Sequence, residues 1–248
     1  MLNPLIHIQF YGYNAFKIVE GNLRLIIDPG RNLKWNKLNS LIPKQEWDAD
    51  HIFITHEHDD HADFAIRIAK QSGANIICHK NLQPKFSKRI PDNRVIGLNP
   101  DKNLTLNGLT IKTFPVLHGN VTIRKFKRQF QISPKHCSSL GFVITLPNEK
   151  CLMNLGDTIF LPEWTDNPPF KHPDIMMVPA GGQMTMDVQK ASDLVKVVQP
   201  KVVIPCHYQW DILFYRRKTD ISPLKQTCEG NGILFKEMAR GEKLILPP

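Results

Sequence analysis

Within the hexapeptide His56-Glu57-His58-Asp59-Asp60-His61, three imidazoles and two aspartate carboxylates are crowded into a single turn's length of chain. Repulsion and desolvation make such crowding costly unless a cation gathers the groups. The hexapeptide follows the apolar run 52–55 and precedes a helical pattern, so a strand delivers it into a tight turn. That turn points His56 and His58 toward one position and Asp60 and His61 toward a neighbouring one. The spacing suits two adjacent ions, with further ligands drawn from elsewhere in the chain.

Those further ligands stand at like places. His118 follows the run 114–117, Asp157 follows the run 151–155 and Gly156, and His207 follows the run 202–206. Each run reads as a strand, and side chains collected from several strand ends are held in fixed geometry by the sheet behind them. Standing alone, His118 and His207 would be read as polar strand caps or satisfied core residues, which is the reading given to His7, His51, His79 and His172. Imidazole and carboxylate donors without thiolate suit zinc first, with manganese or iron as alternatives. Cys206 adjoins His207, but neighbouring strand side chains face opposite ways, so it reads as core.

The elements that must carry these groups are short apolar runs rich in β-branched residues, the signature of buried strands. The clearest are Leu23–Ile27, 52–55, 74–78, Leu109–Phe114, 140–146, 151–155, 175–178 and 202–204. Helical periodicity covers 64–71, stopped by Gly73, and 187–199, capped from Thr185 or Asp187 and closed by Pro200. Two stretches, 29–47 and 119–139, read as irregular, and loops of that length inside a compact domain tend to wall a site. No repeat or low-complexity linker divides the chain, so residues 1–248 are expected to form one domain of mixed α/β class.

Composition narrows the partners. The chain is 42% hydrophobic and 22% charged, which argues against disorder. Its 32 Lys and Arg exceed its 23 Asp and Glu for a formal charge of +9, which attracts anions. The tightest basic clusters are Arg124, Lys125, Lys127 and Arg128, then Arg216, Arg217 and Lys218. They read as a solubilising surface before a nucleic-acid groove. Five cysteines form no C-x-x-C pair, which fits a reducing compartment. Residues 1–16 lack the pattern of a leader and no run is long enough to span a bilayer, so the cytoplasm is the expected location.

The ordered set of H-x-H-x-D-H, a distant His118, Asp157 within Gly156-Asp157-Thr158, and His207 at a strand end resembles the metallo-β-lactamase superfamily. The likeness runs from Asp28 in Ile27-Asp28-Pro29 to His207-Tyr208. Residues 12–16, residues 179–186 with Thr185-Met186, and Val203-Ile204-Pro205-Cys206-His207-Tyr208 resemble the branch containing L-ascorbate 6-phosphate lactonase and many uncharacterised hydrolases. The basic stretch 119–139 departs from that branch.

The resemblance implies an α/β fold, a four-layer αββα sandwich with the site at one edge, binding two divalent metal ions. It assigns His56, His58 and His118 to the first metal, Asp60, His61 and His207 to the second, and Asp157 to a bridge between them. Asp28 would steady the motif turn through hydrogen bonds. A hydroxide shared by the two ions and oriented by Asp60 would attack a small anionic ester, lactone or phosphodiester, which makes Asp60 and Asp157 the catalytic residues. Arg128, His136, Gln183 and Tyr208 are the candidate substrate contacts. The alternatives are a tRNA-processing type of nuclease, an N-acyl-phosphatidylethanolamine phospholipase D type of enzyme, and a non-catalytic metal-binding interaction module.

Overall fold

A computed structural model of the chain describes residues 5–33, 39–119, 121–125, 128–132, 137–212 and 215–247. It opens on strands β1 (Ile6–Gly12), β2 (Ala15–Glu20), β3 (Leu23–Ile27) and β4 (His51–Phe53). Two helices, α1 (Asp59–Ala62) and α2 (Ala65–Ser72), lead to β5 (Asn75–His79), and α3 (Gln83–Ser87) leads to β6 (Val95–Leu98). Next come β7 (Asn103–Leu106), β8 (Leu109–Phe114), β9 (Val121–Lys125), β10 (Arg128–Ile132), β11 (Gly141–Thr145), β12 (Cys151–Asn154) and β13 (Ile175–Pro179). The chain closes through α4 (Val188–Val198), β14 (Val202–Cys206), β15 (Gln209–Ile212), β16 (Tyr215–Lys218), α5 (Ser222–Gly230), β17 (Leu234–Phe235) and β18 (Lys243–Leu246).

Two seven-stranded mixed sheets result, in the orders β18-β1-β2-β3-β4-β5-β6 and β17-β14-β13-β12-β11-β8-β7. In the first, β3 to β6 run parallel; in the second, β12, β13, β14 and β17 do. Strands covered on both faces should read as unbroken apolar runs rather than alternations. β13 and β14 do so, being buried at every position, and β4 is buried throughout although it opens on His51.

The inner faces pack on each other through Ile8, Phe16, Leu25 and Phe53 from one sheet and Ile111, Phe142, Ile144 and Ile204 from the other. Phe53 and Phe142 meet edge to face with centroids 5.4 Å apart. The outer face of the first sheet, with Ile52, Ile54 and Ile76, is covered by Phe64, Ile68, Leu82 and Phe86 of the α2 and α3 region. The outer face of the second, with Met153, Val178 and Val203, is covered by Leu194 and Val198 of α4 and Leu224 and Cys228 of α5. These are the four αββα layers that the resemblance implies.

Local chemistry sets the helix ends. Gly73, at φ 80°, closes α2 with its N–H on the Ala69 carbonyl. Asp187 accepts from the Lys190 N–H at 2.8 Å to open α4. Among the described residues, no helix is long and apolar enough to cross a membrane.

One expectation is corrected. The stretch 119–139 is not irregular throughout, because β9 and β10 form an antiparallel ribbon in register from Val121↔Ile132 to Lys125↔Arg128. A second ribbon, β15 with β16, follows the last candidate ligand. Neither joins a main sheet. The first escapes sequence reading because residues 125–128, Lys-Phe-Lys-Arg, carry none of the Gly or Asn residues that mark a tight hairpin.

Candidate metal centre

The candidate ligands leave the sheets at one end of the sandwich. β4 ends at Phe53 and hands the chain through Thr55 to His56, after which His58 caps the short helix α1, so Asp60 and His61 sit on a helical turn. The His61 and Ala62 N–H groups both bond the His58 carbonyl, at 3.0 and 2.8 Å. Asp157 lies just past β12 and His207 just past β14. His118 stands four residues beyond the end of β8, in the loop that begins at Pro115.

Two glycines permit this convergence. At Gly156, with φ 59°, a Cβ would come within 2.7 Å of the Thr55 Cβ. At Gly30 a Cβ would fall 1.8 Å from the Asp60 backbone carbon, in a segment already bonded to the motif by Arg31 N–H to Asp59 O at 2.7 Å. Side chains cannot yield there, because the obstacle is main chain. Gly30→Ala is therefore expected to displace the turn that carries Asp60 and His61, with metal content falling at least about tenfold. Elemental analysis of the purified variant checks this, and full metal content would show that the turn is more pliant than its packing.

Ligand atoms of His56, His58 and His118 lie within 4.8 Å of one another, and so do those of Asp60, His61 and His207. In the first group His56 Nε2 faces His58 Nδ1 at 3.0 Å. In the second, His61 Nε2 faces His207 Nε2 at 3.3 Å, and His207 Nε2 is 3.4 Å from Asp60 Oδ2. Asp157 stands between the groups. Its Oδ2 is 3.2 Å from His207 Nε2 and 3.6 Å from His118 Nε2, while Oδ1 is 3.5 Å from His61 Nε2.

Beneath this cluster lies Asp28, fully buried. Its Oδ1 accepts the Thr55 N–H at 2.8 Å, and its Oδ2 accepts from Asn14 Nδ2 at 2.7 Å, Thr55 Oγ1 at 2.6 Å and His61 Nδ1 at 2.8 Å. Because the Thr55 hydroxyl gives its proton to Asp28, it must accept from His56 Nδ1 at 3.0 Å. One carboxylate thereby fixes the tautomers of two imidazoles, one in each group, and turns both Nε2 lone pairs toward the centre. His118 is set in the same way by donating Nδ1–H to its neighbour Gly119's carbonyl at 2.9 Å. Asp28, His56 and His61 also fall within 4.8 Å of one another. With four donors already on its two oxygens, Asp28 is better suited to orienting ligands than to coordinating.

The ionisation pattern follows from crowding. Burial, then the neighbouring His61, hold His56 well below the usual imidazole range, so it stays neutral and its lone pair is available. Burial opposes charge on Asp157, yet His207 and His61 outweigh it and hold the carboxyl well below the usual range. Burial likewise opposes charge on His61, but Asp157, Asp60 and Asp28 raise it well above the ordinary value. Any proton that His61 Nε2 carries in the metal-free protein would have to leave before the ring could bind a metal.

Two observations test the fit of a metal here. His118 Nε2 and Asp157 Oδ1 are buried without a hydrogen-bond partner, although buried polar atoms ordinarily have one. In addition, oriented imidazole lone pairs converge with carboxylates, which is the donor set that divalent zinc, manganese or iron takes. The residues present fit a metal.

The remaining sequence candidates fare differently. Gln183 is exposed at φ 60° in the turn whose Met184 carbonyl accepts the Gly119 N–H at 2.8 Å, so it stands beside His118. Tyr208 is buried; its hydroxyl donates to Glu237 Oε1 at 3.0 Å and accepts from Gln209 Nε2 at 3.3 Å. That proton is therefore committed within the protein. Burial, reinforced by Glu237, raises the phenol above its ordinary range. The backbone of Arg128 belongs to β10, and His136 lies outside the described residues.

Sequence reasoning missed Thr55 and Asn14. Asn14 exchanges amide hydrogen bonds with Asn154, at 3.0 and 3.1 Å, and so ties the β1–β2 turn to the end of β12 behind the site. Neither residue carries a motif of its own, and only the position of Thr55 directly before His56 offers a hint.

Comparison with known proteins agrees with this geometry. Residues 7–207 match the family described as the Beta-lactamase superfamily domain. A UPF0173 metal-dependent hydrolase of Methanosphaera stadtmanae is 35% identical over 208 residues, covering 81% of this chain and 83% of that protein. One from Carboxydothermus hydrogenoformans is 28% identical over 240 residues, covering 96% and 99%. Igni18, a metallo hydrolase from Ignicoccus hospitalis, superposes with a TM-score of 0.77 at 24% identity and 98% coverage of both chains, a likeness of fold. With its metal-fit cluster set at one end of an αββα sandwich, the chain belongs to the Beta-lactamase superfamily and, within it, to the family of UPF0173 metal-dependent hydrolases.

Proposed function

We propose that the protein is a binuclear metal-dependent hydrolase of a small anionic ester, lactone or phosphodiester. In this reading His56, His58 and His118 hold one divalent cation, Asp60, His61 and His207 hold the other, and Asp157 serves both. The observation that carries it is Asp157, whose Oδ2 lies within 3.6 Å of a histidine from each group. A single buried carboxylate shared in this way suits two neighbouring cations better than one.

Bound divalent cations supply the acidity that ionises water near neutral pH and the charge that polarises a carbonyl or phosphoryl oxygen. The chain's own residues supply position and proton handling. Asp28, through His61 and through Thr55 to His56, keeps the ligand rings from rotating. Asp60 retains 8% exposure, so its carboxylate meets the solvent side of the centre and is placed to accept a proton from the attacking water. His58 is also partly exposed, which puts substrate entry on the Asp60 and His58 side. The net charge of +9 favours an anionic substrate, and the hydrolase names of the relatives favour the reaction class. The five free cysteines, four of them buried, support a reducing compartment such as the cytoplasm.

Protein purified without added metal and analysed for zinc, manganese and iron is expected to carry about two equivalents per chain. The same preparation should turn over at least one member of a panel of lactones, aryl esters and phosphodiesters, and chelation should abolish that activity. A chain that takes up no metal, or a fully loaded one inert toward the whole panel, would overturn the reading.

A further inference from the structure

Beside His207 the surface dips into a cavity of about 250 Å³ whose walls include Phe10, Tyr13, Asn32, Gln209 and Arg240. It shares His207 with the metal-fit cluster, so a group bound in it lies next to the proposed reacting atoms. Arg240 is unusual in its origin. It comes from the turn between β17 and β18, beyond residue 207 where the family match ends, and no motif marks it.

The turn that carries it is fastened to the first sheet. Gly241 N–H bonds the Phe10 carbonyl at 2.7 Å, Phe10 N–H bonds the Glu242 carbonyl at 3.1 Å, and the Glu242 carboxylate accepts the Ala239 N–H at 2.8 Å. The guanidinium itself is held at Nε by the Tyr11 carbonyl at 2.6 Å. It lies against Gly12, where a Cβ would come within 3.4 Å of Nε and 3.6 Å of Nη2. Gly12, at φ 104°, thus leaves both the backbone path and the space that the guanidinium occupies. A planar fork held in this way suits two oxygens of one phosphate or carboxylate. Tyr208, which also lines the cavity, is held by Glu237, and Glu237 is paired with Lys218 at 3.1 Å.

We propose that Arg240 recognises the anion of the substrate, gripping a phosphate or carboxylate in the cavity beside His207 while the scissile bond faces the metal centre. Phe10 and Tyr13 line the part of the cavity that would face the organic portion of the substrate, with Asn32 and Gln209 beside them. This assignment rests on the hydrolase reading for its consequence in turnover, but anion binding itself is measurable without turnover.

The test compares the metal-loaded wild type with Arg240→Gln and Arg240→Lys, using inorganic phosphate and acetate as probes in calorimetric titrations. For the better-bound probe, Arg240→Gln is expected to weaken affinity by about 10- to 100-fold, with metal content and the folded state retained. Arg240→Lys, which keeps the charge without the fork, should lose less. Where a substrate is in hand, KM should rise more than kcat falls. The probe with the larger loss names the oxyanion class. Equal affinity in wild type and Arg240→Gln, or loss of metal in both variants, would overturn the assignment. Arg240-dependent binding by a protein that hydrolyses nothing removes the hydrolase reading and keeps the anion site. Turnover with Arg240-independent binding does the reverse.

Discussion

Asp157→Asn is expected to fold and to lose both its metal and its activity. Asn has nearly the volume and shape of Asp, so the 2% exposed site repacks with little change. What disappears is the negative charge facing His61, His118 and His207, together with one acceptor oxygen. Loss of a partner that merely orients a ligand costs about 10- to 100-fold in metal affinity or activity. A carboxylate shared by both ligand groups should therefore cost on the order of 100-fold or more. Elemental analysis and turnover under metal-limited conditions check this, and retention of two equivalents of metal would remove Asp157 from the centre.

The same substitution has a signature in the metal-free protein. Because the folded-state value of Asp157 is depressed, its ionisation contributes stability above the ordinary carboxylate range, and that contribution is lost as pH falls through the depressed folded value. His61 has the opposite sign: its raised value stabilises below the ordinary imidazole range, and the contribution is lost as pH rises through the raised folded value. Asn at 157 removes the first contribution outright and the chief attraction behind the second. Urea midpoints of chelated protein should consequently vary less with pH in the variant than in the wild type. Parallel pH profiles would show that the cluster does not share its protons as the geometry implies.

Asp28→Ala should have the largest effect on stability. It strands donors from Thr55, Asn14 and His61 that are buried behind the site, at roughly 1–3 kcal/mol for each unsatisfied group. Asp28 also sits at φ 44°, a left-handed conformation that Asp tolerates better than Ala does. The sum reaches several kcal/mol, a large part of the total of about 5–15 kcal/mol that holds a typical domain together. Asp28→Ala is therefore expected to be largely insoluble or to unfold at far lower urea. Asp28→Asn tests the orienting role more gently: its amide offers protons where Thr55, Asn14 and His61 already donate, which frees the His56 and His61 rings. Metal affinity should fall about 10- to 100-fold while the secondary structure survives. Unchanged stability in the Ala variant would mean that solvent reaches this pocket.

The parts of the molecule that followed simple physical rules were legible in the sequence. α4 could be placed to within a residue because its periodicity, its Asp187 cap and Pro200 agree, and β3 and β8 because their apolar runs end at turn residues. The candidate ligands stood out in the sequence because three histidines and two aspartates in six positions are costly to crowd together without a cation. Asp28 was identifiable through its neighbours Ile27 and Pro29, but its hold on His56 required Thr55 as an intermediary, a contact made across 27 residues of chain, and its hold on His61 a direct bond across 33. The β1–β2 hairpin was hidden because its polar residues interrupt the apolar pattern, although Asn14 among them proves to be buried against Asp28. Arg240 gave no sign, since a lone arginine in a turn acquires meaning only from the cavity that it meets.

The two detached ribbons bear on how such an enzyme diversifies. One begins three residues after His118 and the other two residues after His207, and neither contributes a rung to the seven-stranded sheets. Farther along the chain, just before β11, Glu57 accepts the Ser138 N–H at 3.2 Å and the Leu140 N–H reaches the Thr55 carbonyl at 2.9 Å. Lengthening, trimming or rewriting either ribbon would redraw the rim around the reacting atoms while leaving the scaffold beneath untouched. Selection for a new substrate thus has two ribbons outside the sheets to work on, and a chain could keep every one of these histidines while changing what it digests.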